Sequence, residues 1–208
     1  MARAYTEMTF TPAVRAVQEQ MGAAGAYAKL LGPESDRNDA LGENEAAFVA
    51  ARDGFYQASV TETGWPYVQF RGGPVGFLKV LDARTLAYAD FRGNRQYLSV
   101  GNLLADNRVS LFLMDYPHRR RLKILGRARF VGVGEDPDLV ARLHDPSYRA
   151  VPERAVVITV EAWDWNCPQH IPQRLTLEEL EDKLAPVRAE MARLRAENEA
   201  MKAELGRG

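Results

Sequence analysis

Apolar residues recur along this chain with three different periods, and each period predicts a different kind of element. In residues 11–51, Val14, Val17 and Met21 return at helical spacing, and Glu45 to Arg52 is alanine-rich around Phe48 and Val49. That stretch predicts helices, with Gly32-Pro33 and the polar residues up to Asp39 separating two of them. From Phe55 the period falls to two. FYQASVTETGWPYVQF predicts strand, turn and strand, with the turn at Thr63-Gly64 and Pro66 near the start of the second strand. GFLKVLD and TLAYAD flank Ala83-Arg84 as another hairpin, and a helix is predicted over Asn94–Asp106. RVSLFLMDY and RRLKILGRARFVGV then pair across Pro117-His118, a short helix covers Pro137 to His144, and RAVVITVEAWDW is a last long strand. Such strands, mostly antiparallel by their short connections, predict an α+β fold on a small barrel, because closing a sheet removes exposed edges.

The third period runs from Leu177. Leu177, Leu180, Leu184, Val187, Met191, Leu194, Asn198, Met201 and Leu205 alternate spacings of three and four, a heptad seam with Leu177 at a and Leu180 at d. Asn198 falls at an a position, where a polar residue favours one register and oligomer. In a parallel pair Glu190 faces Arg195 and Glu197 faces Lys202 of the other chain, whereas Lys183 facing Arg188 has the wrong sign. Pro186 is expected to kink or restart the helix. Pairing with a second chain and docking as a single amphipathic helix both stay open.

Length and composition narrow the class. With 208 residues there is ample chain for one hydrophobic core, and 46% hydrophobic against 26% charged residues is ordinary for a soluble globular protein. The 27 basic and 28 acidic residues leave a formal net charge of −1, which argues against bulk attraction to nucleic acid or a membrane surface. Cys167 is the one cysteine, so no internal disulfide forms. No secretory leader and no apolar run of membrane-spanning length is seen, and a cytoplasmic location is expected.

Candidate chemistry concentrates in DFRGNRQYLSVGNLL, Asp90 to Leu104. Asn94 suits a helix cap, the free N–H groups and dipole of a helix start favour an anion, and Arg95 adds a planar charged fork. Lys79, one hairpin partner away, is positioned to converge on the same anion. The competing reading is an ordinary capped, solvated helix. On RRLKILGRARF, alternation puts Lys123, Leu125, Arg127 and Arg129 on one face and Leu122, Ile124, Ala128 and Phe130 on the other. Arg127 and Arg129 read as solvated, while Arg121 or Lys123 is placed to help neutralise an anion. RGGPVGF lacks the helix a phosphate-binding glycine loop needs; its glycines suit close approach to a flat ligand or a bulge. In WDWNCPQHIPQR, Trp163 and Trp165 share a strand face, with cover for a ligand ring or plain core packing as the two readings. His170 near Cys167 lacks the orienting third group of a nucleophile pair, and Cys167, His118, His144 and His170 lack metal-ligand spacing.

Taken in order, GWPYVQFRGGPVGFLKVLD, LAYADFRGNRQYLSVGNL, NRVSLFLMDYPHRRRLKILGRAR and WDWNCPQHIPQR resemble the pyridoxamine 5′-phosphate oxidase-like, FMN-binding split-barrel flavoproteins from about Phe48 to Arg174. The resemblance implies an α+β, mostly antiparallel split β-barrel with flanking helices. Residues 1–50 would be a helical lead-in, 51–174 the FMN-binding domain and 175–208 the heptad helix. It also implies a homodimer with FMN at the subunit interface. Lys79, Asn94, Arg95 and Gln96 would hold the phosphate, and Phe77, Leu78, Tyr88, Ala89 and Asp90 would lie along the flavin and ribityl chain. Arg121 and Lys123 would approach from one chain or its partner, and Trp165 would lie near the ring. Pro74 and Val75 stand where the oxidase proper has an arginine, so the likeness is to the oxidase-related group rather than to the vitamin B6 enzyme. The expected function is an FMN-dependent oxidoreductase; its rivals are a non-catalytic flavin binder or redox sensor, and the same fold holding a deazaflavin or haem.

Overall fold

In the computed structural model, residues 3–28, 31, 32 and 36–206 are described; Pro33 of the predicted separator lies outside them. In chain order the elements are α1 (Arg3–Thr9), α2 (Pro12–Gln20), α3 (Ala24–Ala28), α4 (Glu43–Ala50), β1 (Gly54–Val60), β2 (Pro66–Gly72), β3 (Lys79–Asp82) and β4 (Thr85–Phe91). There follow α5 (Leu98–Ala105), β5 (Arg108–Asp115), β6 (Arg120–Gly132), α6 (Pro137–Leu143), β7 (Pro152–Trp165) and α7 (Leu177–Leu205). By contacts the chain divides into two compact units, Met1–Asp115 with Arg120–Gln169, and Tyr116–Arg119 with His170–Gly208.

The first unit is built on one seven-stranded sheet in the order β2-β1-β5-β6-β7-β4-β3, every paired neighbour antiparallel. One face folds round the main core. Phe55 from β1, Leu86 and Tyr88 from β4, Leu111 and Leu113 from β5, Leu122 and Ile124 from β6, and Val156 and Ile158 from β7 are all buried there. β2 and β3 end the sheet without pairing to each other, the open seam of a split barrel. A second, smaller core lies under α6, where Ala87, Ala89 and Ala155 leave room for Leu139, Val140 and Leu143. Asp136 caps α6, its Oδ1 accepting from Leu139 N at 2.9 Å, with Pro137 in the first turn.

The hairpins lie where the period-two pattern predicts them. The β6 alternation also holds: Leu122, Ile124 and Ala128 are buried while Arg127 and Arg129 are exposed. On β7 the pairing shifts between Leu125 and Gly126, so that Ala162 faces Leu125 but Val160 faces Gly126. Glu161 is therefore an extra residue. One extra residue flips the faces beyond it, which is why Val156, Ile158 and Val160 point into the main core and then Trp163 and Trp165 do.

Both tryptophans anchor the lead-in. Trp163 Nε1 donates to Ala40 O at 2.7 Å, and Trp165 Nε1 donates to Glu45 Oε1 at 2.8 Å. Glu45 also accepts from Gly42 N, fixing the start of α4, and α4 supplies Phe48 and Val49 to the main core. Helix α2 is different: Val14, Val17 and Met21, the residues at helical spacing, are all exposed, and α2 buries no side chain. Nor does Pro186 interrupt α7, which is one continuous helix from Leu177 to Leu205 despite the lost N–H. Among the described residues, no helix is long and apolar enough to cross a membrane.

Gly126 lies on β6 against the backbone of β7, beside the shift in register. A Cβ there would lie 2.4 Å from Thr159 O and 3.0 Å from Ile158 Cγ2. The obstacle is backbone in the middle of a ladder, so the strands must part to admit a methyl group. Gly126→Ala is expected to destabilise the protein by about 2 kcal/mol, within the range for overpacking a core, and urea unfolding of the two proteins measures it.

Candidate functional site

Strand β4 alternates a core face with a face under α6. Leu86, Tyr88 and Asp90 share the first, and Ala87 and Ala89 the second. Strand β2 alternates too: Tyr67, Gln69 and Arg71 are half-buried, whereas Val68 and Phe70 are exposed. Although β2 ends the sheet and β4 lies five strands away, Arg71 Nη1 reaches Asp90 Oδ1 at 2.8 Å. Arg154, directly opposite Asp90 on β7, brings its Nε to 3.4 Å from the other carboxylate oxygen. Deeper, Tyr88 OH donates to Gln57 Oε1 of β1 at 2.7 Å. Burial pushes the Tyr88 hydroxyl up, and burial is also the largest influence on Asp90, holding its carboxyl above the ordinary aspartate range against the pull of Arg71 and Arg154. Arg71 Nε is buried without a hydrogen-bond partner.

The stretch after β4 departs from expectation. Helix α5 starts at Leu98, not Asn94, and Asn94 caps a turn rather than the helix: its Oδ1 accepts from Gln96 N at 3.2 Å. Arg95 and Tyr97 both have left-handed backbones, with φ of 62° and 51°. Each costs on the order of 1–3 kcal/mol, and such residues gather at ligand clamps and switch regions. Tyr97 is the residue before the helix, and its side chain caps none of the first-turn N–H groups of α5. The surrounding polar groups hold this corner. Arg92 Nε pairs with Glu153 Oε1 at 2.9 Å and Tyr97 OH donates to the same oxygen at 3.3 Å, while Ser99 Oγ donates to Gln69 Oε1 at 2.7 Å. Arg92 is the main cause that draws the Glu153 carboxyl below the usual glutamate range.

Between β2, the end of β4 and this turn lies a cavity of ≈ 260 Å³, lined among others by Arg71, Asp90, Asn94, Arg95, Gln96 and Ser99. The structure thus brings together Asp90, Asn94, Arg95 and Gln96 of the expected residues and adds Arg71, Gln69 and Glu153. The polar alternation Tyr67, Gln69, Arg71 on an edge strand was the available signal for two of these. Other expected residues lie elsewhere. Lys79 is exposed on β3 opposite Ala87, on the α6 side of the ladder, and is among the charges that lower the Asp145 carboxyl. Phe77, Leu78, Tyr88 and Ala89 are buried. Lys123 is paired with Asp164 at 2.9 Å, with its ammonium 4.5 Å from the centre of the Tyr5 ring. The Arg121 guanidinium lies 6.0 Å from the Phe112 ring, and Trp165 packs edge-on against Phe48. The glycines of RGGPVGF approach their own chain: a Cβ on Gly73 would meet the Phe77 ring at 2.7 Å, and Gly76, at φ 75°, donates to Arg52 O.

A model of the family described as pyridoxamine 5′-phosphate oxidase matches residues 41–167. No curated protein matches the chain. Among solved structures, HupZ of Group A Streptococcus is similar with 14% identity and a TM-score of 0.50, over 65% of this chain and 100% of that one. An FMN-binding protein from Syntrophomonas wolfei has 10% identity and a TM-score of 0.43, over 59% of this chain and 83% of its own. An F420 reductase has 18% identity and a TM-score of 0.44, over 60% and 98%.

Removing one partner of a buried pair leaves the other charge desolvated, so Arg71→Met is expected to destabilise the protein by about 3 kcal/mol at neutral pH. The pH dependence has a definite sign. Folding raises the proton affinity of Asp90, so its protonation favours the folded state, fully below the ordinary aspartate value and no longer above the raised one. The penalty of Arg71→Met should therefore shrink as pH falls through the Asp90 pKa; paired urea titrations across acid and neutral pH check it, and a penalty independent of pH would refute the ion-pair account.

Proposed function

The chain belongs to the pyridoxamine 5′-phosphate oxidase family, and from that premise we propose that it is an FMN-dependent oxidoreductase of the oxidase-related group. The observation that carries this reading is the charge balance of the cavity at the start of α5. Asp90 is matched by Arg71 and Arg154, and Glu153 by Arg92. Four arginines, Arg71, Arg92, Arg95 and Arg154, thus stand around two carboxylates, which leaves the corner with positive charge in excess. Arg95, hydrogen-bonded to Tyr97, lies beside the start of α5 and the side chains of Asn94 and Gln96. That donor set fits a phosphate monoester: a permanently charged fork, amide donors and a helix N-terminus.

FMN, when bound, supplies hydride and electron transfer. The protein's part is to bind and orient it. In this reading Arg95, Asn94 and Gln96 hold the phosphate, and Asp90, kept in place by Arg71, lies along the ribityl chain. Phe77, Leu78, Tyr88 and Ala89 have buried side chains, so they act through backbone atoms or by backing the site. The proposal also takes Lys79, Arg121, Lys123 and Trp165 from the family resemblance as groups that would reach the cofactor while keeping their contacts within the fold, Lys123 with Asp164 and Trp165 with Glu45. A second copy of the chain completes the site in the expected homodimer. The outer face of β1 and β2 supports such a partner, since Tyr56 and Phe70, with ring centroids 5.4 Å apart, lie beside Val68 on an exposed apolar surface. The neutral overall charge gives no support to nucleic-acid binding.

The test is the visible absorption of the purified protein, followed by denaturation and the mass of any released chromophore. Released FMN is the expected result. A colourless protein that takes up no added FMN overturns the proposal, and a deazaflavin or haem would keep the fold but replace the cofactor. Arg95→Ala is then expected to weaken FMN binding by about tenfold or more, the loss of one charge-assisted contact, measured by quenching of flavin fluorescence.

A further inference from the structure

We propose that α7 is one strand of a parallel two-stranded coiled coil whose other strand is α7 of a second copy of this chain. The helix buries none of its side chains. Its seam nevertheless carries Leu177, Leu180, Leu184, Val187, Met191, Leu194, Met201 and Leu205, and exposure along it runs from 36% at Leu184 to 84% at Leu205. A stripe with a 3.5-residue period fits another helix of the same period better than a flat surface.

The flanking charges choose the partner and its direction. From Val187 onward every e position is basic, Arg188, Arg195 and Lys202, and every g position is acidic, Glu190, Glu197 and Glu204. A parallel pair sets g against e of the next heptad, so Glu190 meets the partner's Arg195 and Glu197 meets the partner's Lys202. An antiparallel pair sets e against e and g against g, which brings like charges together along the whole segment. Lys183 against the partner's Arg188 is the one repulsive contact of the parallel arrangement. Asn198, at a, meets its own copy only in a parallel, in-register pair. Arg193, at c on the outer side of the helix, pairs with Glu190 at 2.6 Å and Glu197 at 2.5 Å within the chain, contacts that the g carboxylates exchange for the partner's basic e residues or share with them. Pro186 also falls at c, away from it. The inference is independent of what the barrel binds.

Single cysteines placed in the full-length Cys167→Ser protein test it: Val187→Cys and Met201→Cys, both at d and fourteen residues, two heptads, apart, and Ala196→Cys at f. Under mild oxidation on a non-reducing gel, each d variant should shift from monomer to dimer mass, and Ala196→Cys should not. Adding Leu194→Asp to Met201→Cys should abolish that shift. Absence of the shift in both d variants with helix content retained overturns the proposal. So does a dimer that forms only when the two d variants are mixed, the antiparallel result, or equal crosslinking through Ala196→Cys.

Discussion

A guanidinium on one end strand and a carboxylate near the other end carry the geometry of the site. No hydrogen-bonded ladder joins β2 to β3, so the sheet has no continuous backbone closure. Arg71–Asp90 and Gln57–Tyr88 replace it with side chains that cross the interior from the β2–β1 end to β4. A polar closure of this kind works only because it is paired. Taking Asp90 out of water costs several kcal/mol, and the two arginines offset part of that cost. The residual shows in the raised proton affinity of Asp90, where burial outweighs both positive neighbours.

The candidate site follows from the same contact. The cavity between β2 and the end of β4 lies beside the ion pair, and α5 is tied to the sheet there by Ser99 to Gln69 on β2 and by Asn102 Nδ2 to Ser59 Oγ on β1. The chain leaving β4 must turn sharply to enter that helix, and it does so through left-handed Arg95 and Tyr97. Strain in two consecutive odd positions is sustained because Arg92, Tyr97 and Arg154 all converge on Glu153. The turn that positions Arg95 is thus over-determined by its neighbours, the condition under which such strain persists.

Several side chains that looked available for a ligand are engaged by the fold. Trp165 anchors α4 through Glu45, and Lys123 neutralises buried Asp164. Gly73 and Gly76 make room for Phe77 and for the backbone of α4. In each case the residue type was legible and the partner was not. A tryptophan, a lysine or a glycine is compatible with many partners, and the one observed lies more than thirty positions away for Trp165 and Lys123 and in a local fold-back for the glycines. The Glu161 bulge is the sharpest instance, because strict alternation through AVVITVEAWDW would send Trp163 and Trp165 away from the face that Val156 and Ile158 occupy.

Local pattern determined the six or seven antiparallel strands, the turns between them, α6 and the unbroken heptad seam of α7, since each is written in neighbouring residues. Local chemistry also marked Asn94 and Arg95 as a candidate anion site, beside the competing reading of a plain cap. What only the tertiary structure decided is where that turn points and what stands beside it: the helix start moved from Asn94 to Leu98, Arg71 joined from the far end of the sheet, and Lys79 went to the other face. The physical reason is that alternation fixes which side of a strand a residue takes, whereas the curl of the sheet and a single inserted residue fix which sides meet.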